Sequence, residues 1–383
     1  MVTIGIDPHK QTHSAVAVDR VGREVSRRTE PAVREGFGKL LGWARRLDGD
    51  RVWVLEDCRH VSGPLERFLI DHGEAVIRLA PNLMAGARQS VRERGKSDPI
   101  DALAVARAAL REGIETLPAA RLAGPELEIR LLSVHRERLL AARTRLINEL
   151  RWQLHDLWPD WQITGRVMTG PVLQQQITRR LARARPTVRV RIARDMIRRI
   201  RELTTTINQL HQELAQLVTQ IAPQLLAECG VGVLIAAKLI GEIAGAHRFS
   251  SDAQLARLAG CAPIPVSSGR TDRHRLDRGG NRQLNHAIHM IALAKLSHDP
   301  QTAAYIARQR ARGKTSREAI RCLKRHLIRR IYHLLRDPNS VPITIHCRMN
   351  TPQLLRDGAL PARGRRPART TPADPNPDDP PLT

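Results

Sequence analysis

The sequence predicts an α/β domain followed by mostly α-helical structure. Three short strands, VTIGID, HSAVAVD and REVSRRTE, follow one another at the N-terminus, with a turn at residues 19–22 between the last two. The apolar runs RVWVLED and AVIRLAP then alternate with helical stretches, the last of which is SDPIDALAVARAAL. Beyond about residue 125, apolar residues recur at helical spacing. Three meandering strands followed by strand–helix alternation are typical of a mixed sheet of the ribonuclease H type.

The chain is long enough for several domains, and its patterning predicts four segments. Residues 1–117 form the α/β domain, which includes a helix from about Gly36 to Leu47. Residues 118–222 form a helical coiled-coil region, and residues 223–338 form a second compact, largely helical unit. Residues 339–383 are rich in Pro and Arg and poor in apolar residues, so they are predicted to be disordered.

The coiled-coil prediction depends on near-heptad spacing in two long helices. The second helix carries its apolar residues at steps of three or four, at Ile192, Met196, Ile200, Leu203, Ile207, Leu210, Leu214, Leu217 and Ile221. The first helix does the same at Leu139, Ala142, Leu146, Leu150, Leu154 and Leu157. Two arrangements fit this spacing equally well: an antiparallel hairpin within one chain, and a seam between two chains.

The composition predicts a nucleic-acid partner and a soluble intracellular protein. The formal net charge is +25, and 56 of the 63 basic residues are Arg, a side chain suited to bidentate phosphate contacts. The five cysteines form no C-x-x-C pair, which argues against a zinc ribbon or a disulfide framework. The N-terminus has no secretory signal, and the apolar stretch VGVLIAAKLIGEIAGA is interrupted by Lys238 and Glu242, which argues against a membrane span.

Four acidic residues lie where a strand ends or a helix begins. Asp7 closes the first strand and Glu56 closes RVWVLED, while Asp98 and Asp101 open a helix on one of its faces. Taken alone, Asp98 and Asp101 fit a helix cap with Pro99 at the first helical position. Together, the four carboxylates supply the hard oxygen ligands of a divalent-metal site for phosphoryl transfer, with Mg²⁺ or Mn²⁺ as the cofactor. Asp57 is a spare candidate, and no nearby histidine is assigned as a ligand.

A second candidate site lies in PVSSGRTDRHRLDRGGNR. Ser267 and Ser268 precede Gly269 and a cluster of nucleic-acid-binding candidates, which are Arg270, Arg273, Arg275, Arg278 and Arg282. A surface loop with ordinary turn chemistry is the bland alternative. A helix opening at Gly280 favours an anion nearby, and a serine in that setting could attack a phosphodiester. The GVG at residues 230–232 fits either a phosphate-binding hairpin turn or a plain tight turn.

The chain resembles the DEDD transposases of bacterial insertion sequences, the group that includes the Piv DNA invertase. The matching stretches are IGIDPHKQTHSAVAVD, LED, SDPIDALAVA, GVGVLIAAKLIGEIAGAHRFSSDAQLARLAGCAPIPVSSGR, GGNRQLNHAIHMIAL and DPQTAAYIARQRARGKTSREAIRCLKRHLIRRIY. They cover both compact units. Two departures stand out: position 267 is a second serine, and AEC precedes GVG where many relatives carry an apolar residue and proline.

The resemblance implies a RuvC-like N-terminal domain in which Asp7, Glu56, Asp98 and Asp101 hold Mg²⁺. It implies a C-terminal transposase domain in which Ser268 is the nucleophile on DNA. It further implies recombination of element ends with a target, a structured guide RNA, and dimers or tetramers with composite active sites. The expected location is the bacterial cytoplasm, in association with the nucleoid.

Two rival functions stay open on the sequence. A RuvC-like hydrolytic junction nuclease would use the same acids with water as the nucleophile. A non-catalytic nucleic-acid-binding protein would use the acids as caps and surface charge. Loss or retention of cleavage in Ser268→Ala and Asp7→Asn separates the three hypotheses.

Overall fold

The computed structural model describes residues 1–56, 59–79, 98–120, 124–161, 168–268, 271–275, 277 and 279–337, with backbone alone at 59–60, 267–268 and 271–273. The predictions for Asp57, Gly269, Arg270, Arg278 and the tail 339–383 lie outside these residues. The first part contains β1 (Val2–Pro8), β2 (Thr12–Val18), β3 (Glu24–Pro31), α1 (Arg34–Arg45), β4 (Arg51–Glu56), α2 (Arg59–Asp71), β5 (Ala75–Leu79) and α3 (Asp98–Glu112).

The five strands form one mixed sheet in the order β3-β2-β1-β4-β5. The first three strands are antiparallel neighbours, whereas β1, β4 and β5 run parallel. The three-strand meander and the later strand–helix alternation are therefore as predicted. Strand β3 is a mostly exposed edge, which explains why REVSRRTE carries several charged side chains.

The two faces of the sheet are covered by different helices. One face packs Ile4, Ile6 and Leu55 against α1 and α2, as one continuous buried cluster. On the other face, small side chains of α3 lie against Val16, Val18 and Val54. Side chains alternate between faces along a strand, so Gly5 and Asp7 lie on the α3 face. This alternation decides which side of the sheet carries the candidate site.

The remaining chain is mostly helical, with one β-hairpin. It contains α4 (Pro125–Leu157), α5 (Pro171–Arg183), α6 (Val188–Ile221), α7 (Pro223–Leu226), α8 (Val233–Ile243), α9 (Asp252–Leu258), β6 (Ile264–Ser268), β7 (Thr271–Arg275), α10 (Arg282–His298), α11 (Pro300–Ala311) and α12 (Ser316–Arg336). Within the described residues, no helix is both long enough and apolar enough to cross a membrane.

Helices α4 and α6 pack antiparallel within the chain. The start of α4, at Ile129, shares a buried cluster with Leu214 near the end of α6. The end of α4, at Leu154, shares another cluster with Val190 near the start of α6. This is the hairpin arrangement that the sequence left open, while a seam with a second chain stays a prediction.

The start of the predicted seam in α6 is displaced. Ile192, the first residue of that seam, is 39% exposed, whereas Val190, Ala193 and Ile197 are buried. The cause is the intervening helix α5, which contributes Ile177 and Leu181 to the same cluster, so the start of α6 buries the side chains that face α5. From Ile200 to Leu214 the predicted residues are buried or half-buried in the seam.

The α/β part and the helical part contact each other through the chain after α3. Gln254 donates to the Thr116 carbonyl at 2.6 Å, and Arg248 donates to the Ala119 carbonyl at 2.9 Å. Arg257 also forms an ion pair with Glu112 at the end of α3. The largest core joins α7 to α12 with the start of α4 and the end of α6, so the helical hairpin extends from that core. The four domain limits stay predictions.

Candidate metal centre and serine hairpin

Strand register brings two of the candidate acids together. Strands β1 and β4 are parallel, and Ile6 pairs with Leu55. The next residue of each strand is an acid, so Asp7 and Glu56 lie level at the carboxyl ends of neighbouring strands. Residues level on adjacent strands point to the same face, which here is the face covered by α3.

A glycine in β1 lets α3 reach this edge of the sheet. A Cβ added at Gly5 would lie 2.2 Å from the Ala102 carbonyl oxygen and 2.5 Å from the Ala106 nitrogen of α3. Only a residue without a side chain permits that approach. The helix begins at Asp98, one turn before Ala102, so its first-turn carboxylates reach Asp7. The alternative role of Asp98 as a helix cap stays a prediction.

Three side chains form the tightest group at this edge. The ligand-capable atoms of Asp7, His9 and Asp98 all lie within 4.8 Å of one another. His9 Nδ1 lies 3.5 Å from Asp7 Oδ2 and 3.9 Å from Asp98 Oδ2. Asp7 is 7% exposed, whereas the side chains of His9 and Asp98 are about half exposed. The group is therefore an open-topped pocket with one buried carboxylate at its base.

Electrostatics link the remaining two acids to the same pocket. Burial raises the pKa of Asp7 to about 6; His9 opposes this shift, and the negative charges of Asp101, Asp98 and Glu56 add to it. Glu56, Asp98 and Asp101 therefore each lie within electrostatic range of Asp7, although Glu56 and Asp101 are outside the tightest group.

The donor set fits a divalent cation. Asp7 Oδ2 is buried and accepts no hydrogen bond within the described part of the chain. A buried carboxylate oxygen without a donor costs free energy unless a cation meets it. Carboxylate oxygens are the ligands that Mg²⁺ and Mn²⁺ prefer, and an imidazole is accepted by Mn²⁺ more readily than by Mg²⁺.

Another histidine near these acids in the sequence, His13, has a structural role. His13 is buried and stacks on Phe37, with ring centroids 5.5 Å apart, on the opposite face of the sheet. Burial, with a smaller contribution from His9, lowers the pKa of His13 to about 4. The side chain of His60 lies outside the described atoms. Sequence reasoning assigned no histidine to the site and so missed His9, although its two-residue spacing from Asp7 suggests the same face.

The predicted serine loop is a β-hairpin. Ile264 pairs with Arg275 at the base of the hairpin, and Ser268, the last residue of β6, pairs with Thr271, the first residue of β7, at the tip of its described part. The sequence favoured a loop because this stretch lacks the apolar alternation of a half-buried strand. Ser267 pairs with Asp272, one position nearer the base of the hairpin.

The described basic residues frame this hairpin. Arg275 is exposed at its base, and Arg282 is exposed in the first turn of α10. The helix opening predicted there is confirmed, since the Asn281 side chain caps α10 by accepting from the Gln283 and Leu284 nitrogens. The backbone of Arg273 lies in β7, while its side chain is outside the described atoms.

The GVG turn has a packing reason. Gly230 has φ +83°, and a Cβ there would lie 2.9 Å from the Ala294 side chain of α10. The plain tight turn therefore accounts for the glycine.

Comparisons with known proteins match both halves of the chain. A transposase family model of the DEDD IS110 type matches residues 4–159, and the model of the transposase IS116/IS110/IS902 family matches residues 223–307. The chain belongs to the IS110 family of transposases. Membership of this family implies an enzyme that binds, cuts and rejoins DNA.

Relatives of the same family match along most of their length. The 43.6 kDa protein of insertion element IS110 from Streptomyces coelicolor is 28% identical, with 88% of this chain and 94% of the relative covered. The 42 kDa protein of insertion element IS900 from Mycobacterium paratuberculosis is 26% identical, with 88% and 96% covered. A solved structure of Thermus thermophilus RuvC with a Holliday junction matches at 15% identity and a TM-score of 0.25, over 31% of this chain and 99% of that one.

Proposed function

We propose that this IS110-family transposase is a site-specific recombinase that cuts DNA with a divalent metal centre and a serine nucleophile. The observation that carries the proposal is the electrostatic proximity of the Glu56, Asp98 and Asp101 carboxylates to the buried Asp7, whose Oδ2 accepts no hydrogen bond within the described residues. In the proposed division of the chain, residues 1–117 form a RuvC-like domain of the ribonuclease H type. The strand order of the described sheet supports that assignment.

The four acids would hold Mg²⁺ or Mn²⁺, with His9 beside them. When bound, the cation supplies charge stabilisation at the scissile phosphate. The buried Asp7 fixes the base of the pocket, because β1 and the helix above it leave its carboxylate little freedom. Asp98 and Asp101 contribute from the first turn of α3, and their repulsion with Asp7 is relieved when a cation binds.

Ser268 is the proposed nucleophile. Its Oγ forms a bond to the scissile phosphorus while the bond from phosphorus to the 3′ oxygen breaks. The serine proton passes overall to that oxygen, which leaves as a 3′-hydroxyl. A 3′-hydroxyl of the joining strand later attacks the phosphoserine ester, which restores the phosphodiester and the serine hydroxyl. The exposed Arg275 and Arg282, with Arg270, Arg273 and Arg278, would position phosphates.

The resemblance to DEDD transposases supports three further parts of the proposal. Dimers or tetramers combine the acidic site of one subunit with the serine of another. A structured RNA encoded at the element's end guides the choice of target. Residues 223–338 form the transposase domain, and residues 118–222 form a coiled-coil region between the two catalytic parts.

Covalent trapping on DNA tests the chemistry. Wild-type protein, Mg²⁺ and DNA carrying the element end are denatured together, and protein–DNA adducts are separated by gel. Ser268→Ala should reduce the adduct by about 10⁴-fold or more, as for other lost nucleophiles, while Ser267→Ala should retain it. The reverse result moves the nucleophile to Ser267. Cleavage without an adduct in the wild type favours the hydrolytic junction nuclease.

Asp7→Asn tests the metal centre. We expect strand cleavage to fall by about a thousandfold, the scale of losing one group that stabilises transition-state charge. The matched control is Glu24→Gln, which removes an acid from a surface ion pair with Arg27 on the same sheet. If Asp7→Asn cuts DNA like the control, the acids are structural and the proposal is wrong.

A further inference from the structure

A cavity beside the serine hairpin has no role in the proposed chemistry. Its volume is about 680 Å³, and it lies between the base of the hairpin, the end of α11 and the start of α12. That size is in the range of pockets that hold a small ligand. The hairpin residues His274 and Arg275 line it. Ser268 is four residue steps along β6 from Ile264 at the base of the hairpin, a distance of about 13 Å along an extended strand.

The lining is strongly cationic. Its six basic residues are Arg275, Arg312, Lys314, Arg321, Lys324 and Arg325, against two acids, Asp277 and Glu318. Both acids are engaged locally. Asp277 accepts from the Gly279 nitrogen at 2.8 Å, and Glu318 accepts from the Thr315 nitrogen and hydroxyl in the capping box of α12. Asp252 pairs with Arg325 at 2.9 Å, and Arg321 lies 3.8 Å from Glu318.

Four cations are left without a carboxylate within the described chain: Arg275, Arg312, Lys314 and Lys324. Lys324 is the most telling of them, because it is 6% exposed and its Nζ donates to the Asn285 amide oxygen at 2.6 Å. Burial lowers the pKa of Lys324. A buried ammonium that meets an amide and, among the described residues, no carboxylate costs free energy, and an anion in the cavity would offset that cost.

An aromatic pair shares the cavity with these cations. Tyr305 and His326 both line it, with ring centroids 5.6 Å apart at nearly a right angle. The chain has few aromatic residues, 3% in all, so a ring beside four unneutralised cations is not a general feature of its surface. Cations that follow a backbone, together with a ring on which a base can stack, are the elements that bind single-stranded nucleic acid.

We propose that this cavity binds one nucleotide of a single-stranded nucleic acid, with its phosphate at Arg312, Lys314 and Lys324 and its base against Tyr305. A base paired inside a duplex could not reach the ring, whereas an unpaired strand could pass from the cavity to the hairpin tip. The proposal rests on the proposed function only in taking the polyanion to be a nucleic acid.

Protection of Cys322 from alkylation provides the test. Cys322 lines the cavity, and Cys229 lies outside it, so peptide mass spectrometry reads both thiols in one sample. The full chain, without divalent cation, is treated with N-ethylmaleimide in the presence of a ten-nucleotide oligothymidylate. We expect slower alkylation of Cys322 and no change at Cys229. Equal protection of both cysteines, or of neither, would overturn the proposal.

Charge-matched variants make the test specific. Arg312→Ala/Lys314→Ala removes two exposed cations of the cavity, whereas Arg179→Ala/Arg317→Ala removes two exposed cations outside its lining. The first pair should raise the oligonucleotide concentration needed for protection by at least about tenfold, the scale of one lost charge-assisted hydrogen bond. The second should leave it nearly unchanged. Equal weakening in both variants would mean that net charge alone binds the strand, against the proposal.

Four ligands separate the possible sources of the phosphate: inorganic phosphate, thymidine monophosphate, the oligothymidylate and a duplex of the same length. Protection by the oligonucleotide at far lower concentration than by the other three supports the proposal. Protection by the free phosphate or the mononucleotide at equal concentration makes this a small-molecule site, and equal protection by duplex removes the single-strand requirement; either result overturns it.

Photocrosslinking gives a second measurement that does not depend on how fast Cys322 is alkylated. A bromodeoxyuridine oligonucleotide should photocrosslink to the peptide containing Tyr305, and this crosslink should be lost in Tyr305→Leu. A crosslink confined to other peptides would overturn the proposal. The cysteine-protection experiment involves no DNA cleavage, so the two proposals can fail separately. Protection of Cys322 together with no serine adduct in the trapping experiment would reject the proposed serine chemistry and support the nucleotide-binding cavity. A serine adduct without protection of Cys322 would reject nucleotide binding in the cavity alone.

Discussion

The acidic pocket of the sheet and the basic cavity beside the hairpin both hold charge that the described chain leaves unneutralised, with opposite signs. In the acidic pocket, Asp7 is buried among three other carboxylates, with one partly exposed histidine beside it. In the basic cavity, the buried Lys324 meets an amide and no carboxylate within the described residues. Each arrangement is stable only when its free-energy cost is met elsewhere or by a ligand. The difference in sign points to a cation at one site and a phosphate at the other.

The two sites also differ in how they are built. The acids lie on two parallel strands in register and on helix α3, which packs directly against Gly5. Their positions therefore follow from the backbone of the sheet. The ends of two helices and the base of a hairpin supply the cations. The acidic pocket should therefore respond to changes in the sheet, and the basic cavity to changes in its own side chains.

Gly5→Val is expected to have the largest effect on stability. The new Cβ would lie 2.2 Å from a backbone oxygen of α3, so the helix must move away and carry Asp98 with it. Overpacking of this kind costs roughly 3 kcal/mol, at the upper end of the usual range, because backbone rather than a side chain is in the way. Denaturant unfolding of the purified variant measures the loss, and DNA cleavage should fall with it.

Gly38→Ala is the control for that substitution. Gly38 lies on an exposed face of α1, and a Cβ there meets nothing within 4 Å. Alanine should stabilise the helix by about 0.5–1 kcal/mol. Comparable destabilisation in both variants would show that the contact between β1 and α3 has no special role in positioning the acids.

The strands of the sheet could be predicted from the sequence, whereas the contact at Gly5 could not. Alternating or continuous apolar residues located β1, β2 and β4 to within one or two residues, and Asp7 and Glu56 at their ends followed from that. Whether a helix approaches a strand closely enough to require glycine depends on tertiary packing, which no local pattern contains. The same holds for Ile192, which fits the heptad but is displaced by α5.

The basic cavity was also beyond sequence reasoning. Its cations come from three separate stretches, and Arg275 is the only one of them among the arginines predicted from the sequence to bind nucleic acid. Lys324 lies in a strongly basic helix, α12, whose apolar period predicts a half-buried position for it but not which side chains it contacts. That Lys324 donates to the Asn285 amide follows only from the packing of α10 against α12.

The metal-free protein should show the charge of the acidic pocket as a pH dependence. The folded-state pKa of Asp7 is about 6, above the ordinary 3.8, so its stabilising contribution is complete below pH 3.8 and is lost as pH rises through 6. Other groups titrate in this range, so the comparison is with Asp7→Asn. From pH 4 to pH 7, wild type should lose on the order of 2–3 kcal/mol relative to the variant.

Mg²⁺ provides the check on that result. Saturating Mg²⁺ at pH 7 should stabilise wild type against urea, because a ligand that binds only the folded state raises its stability by mass action. The same addition should leave Asp7→Asn nearly unchanged. Equal stabilisation of both proteins would show that the cation binds elsewhere, and the acids would then be surface charge.

The smallest expected effect is at the basic cavity, with the opposite sign in pH. Burial lowers the pKa of Lys324 below its usual value of 10.5, so the ammonium form disfavours folding and stability should rise as pH increases toward 10.5. Lys324→Met removes that dependence and also removes the donor to Asn285, so the net change at pH 7.5 should stay within about 1 kcal/mol. Urea unfolding from pH 8.5 to pH 10.5 measures it. A loss of 3 kcal/mol or more at neutral pH would mean that Lys324 is held by a strong internal partner, and the cavity would then need no anion to balance its charge.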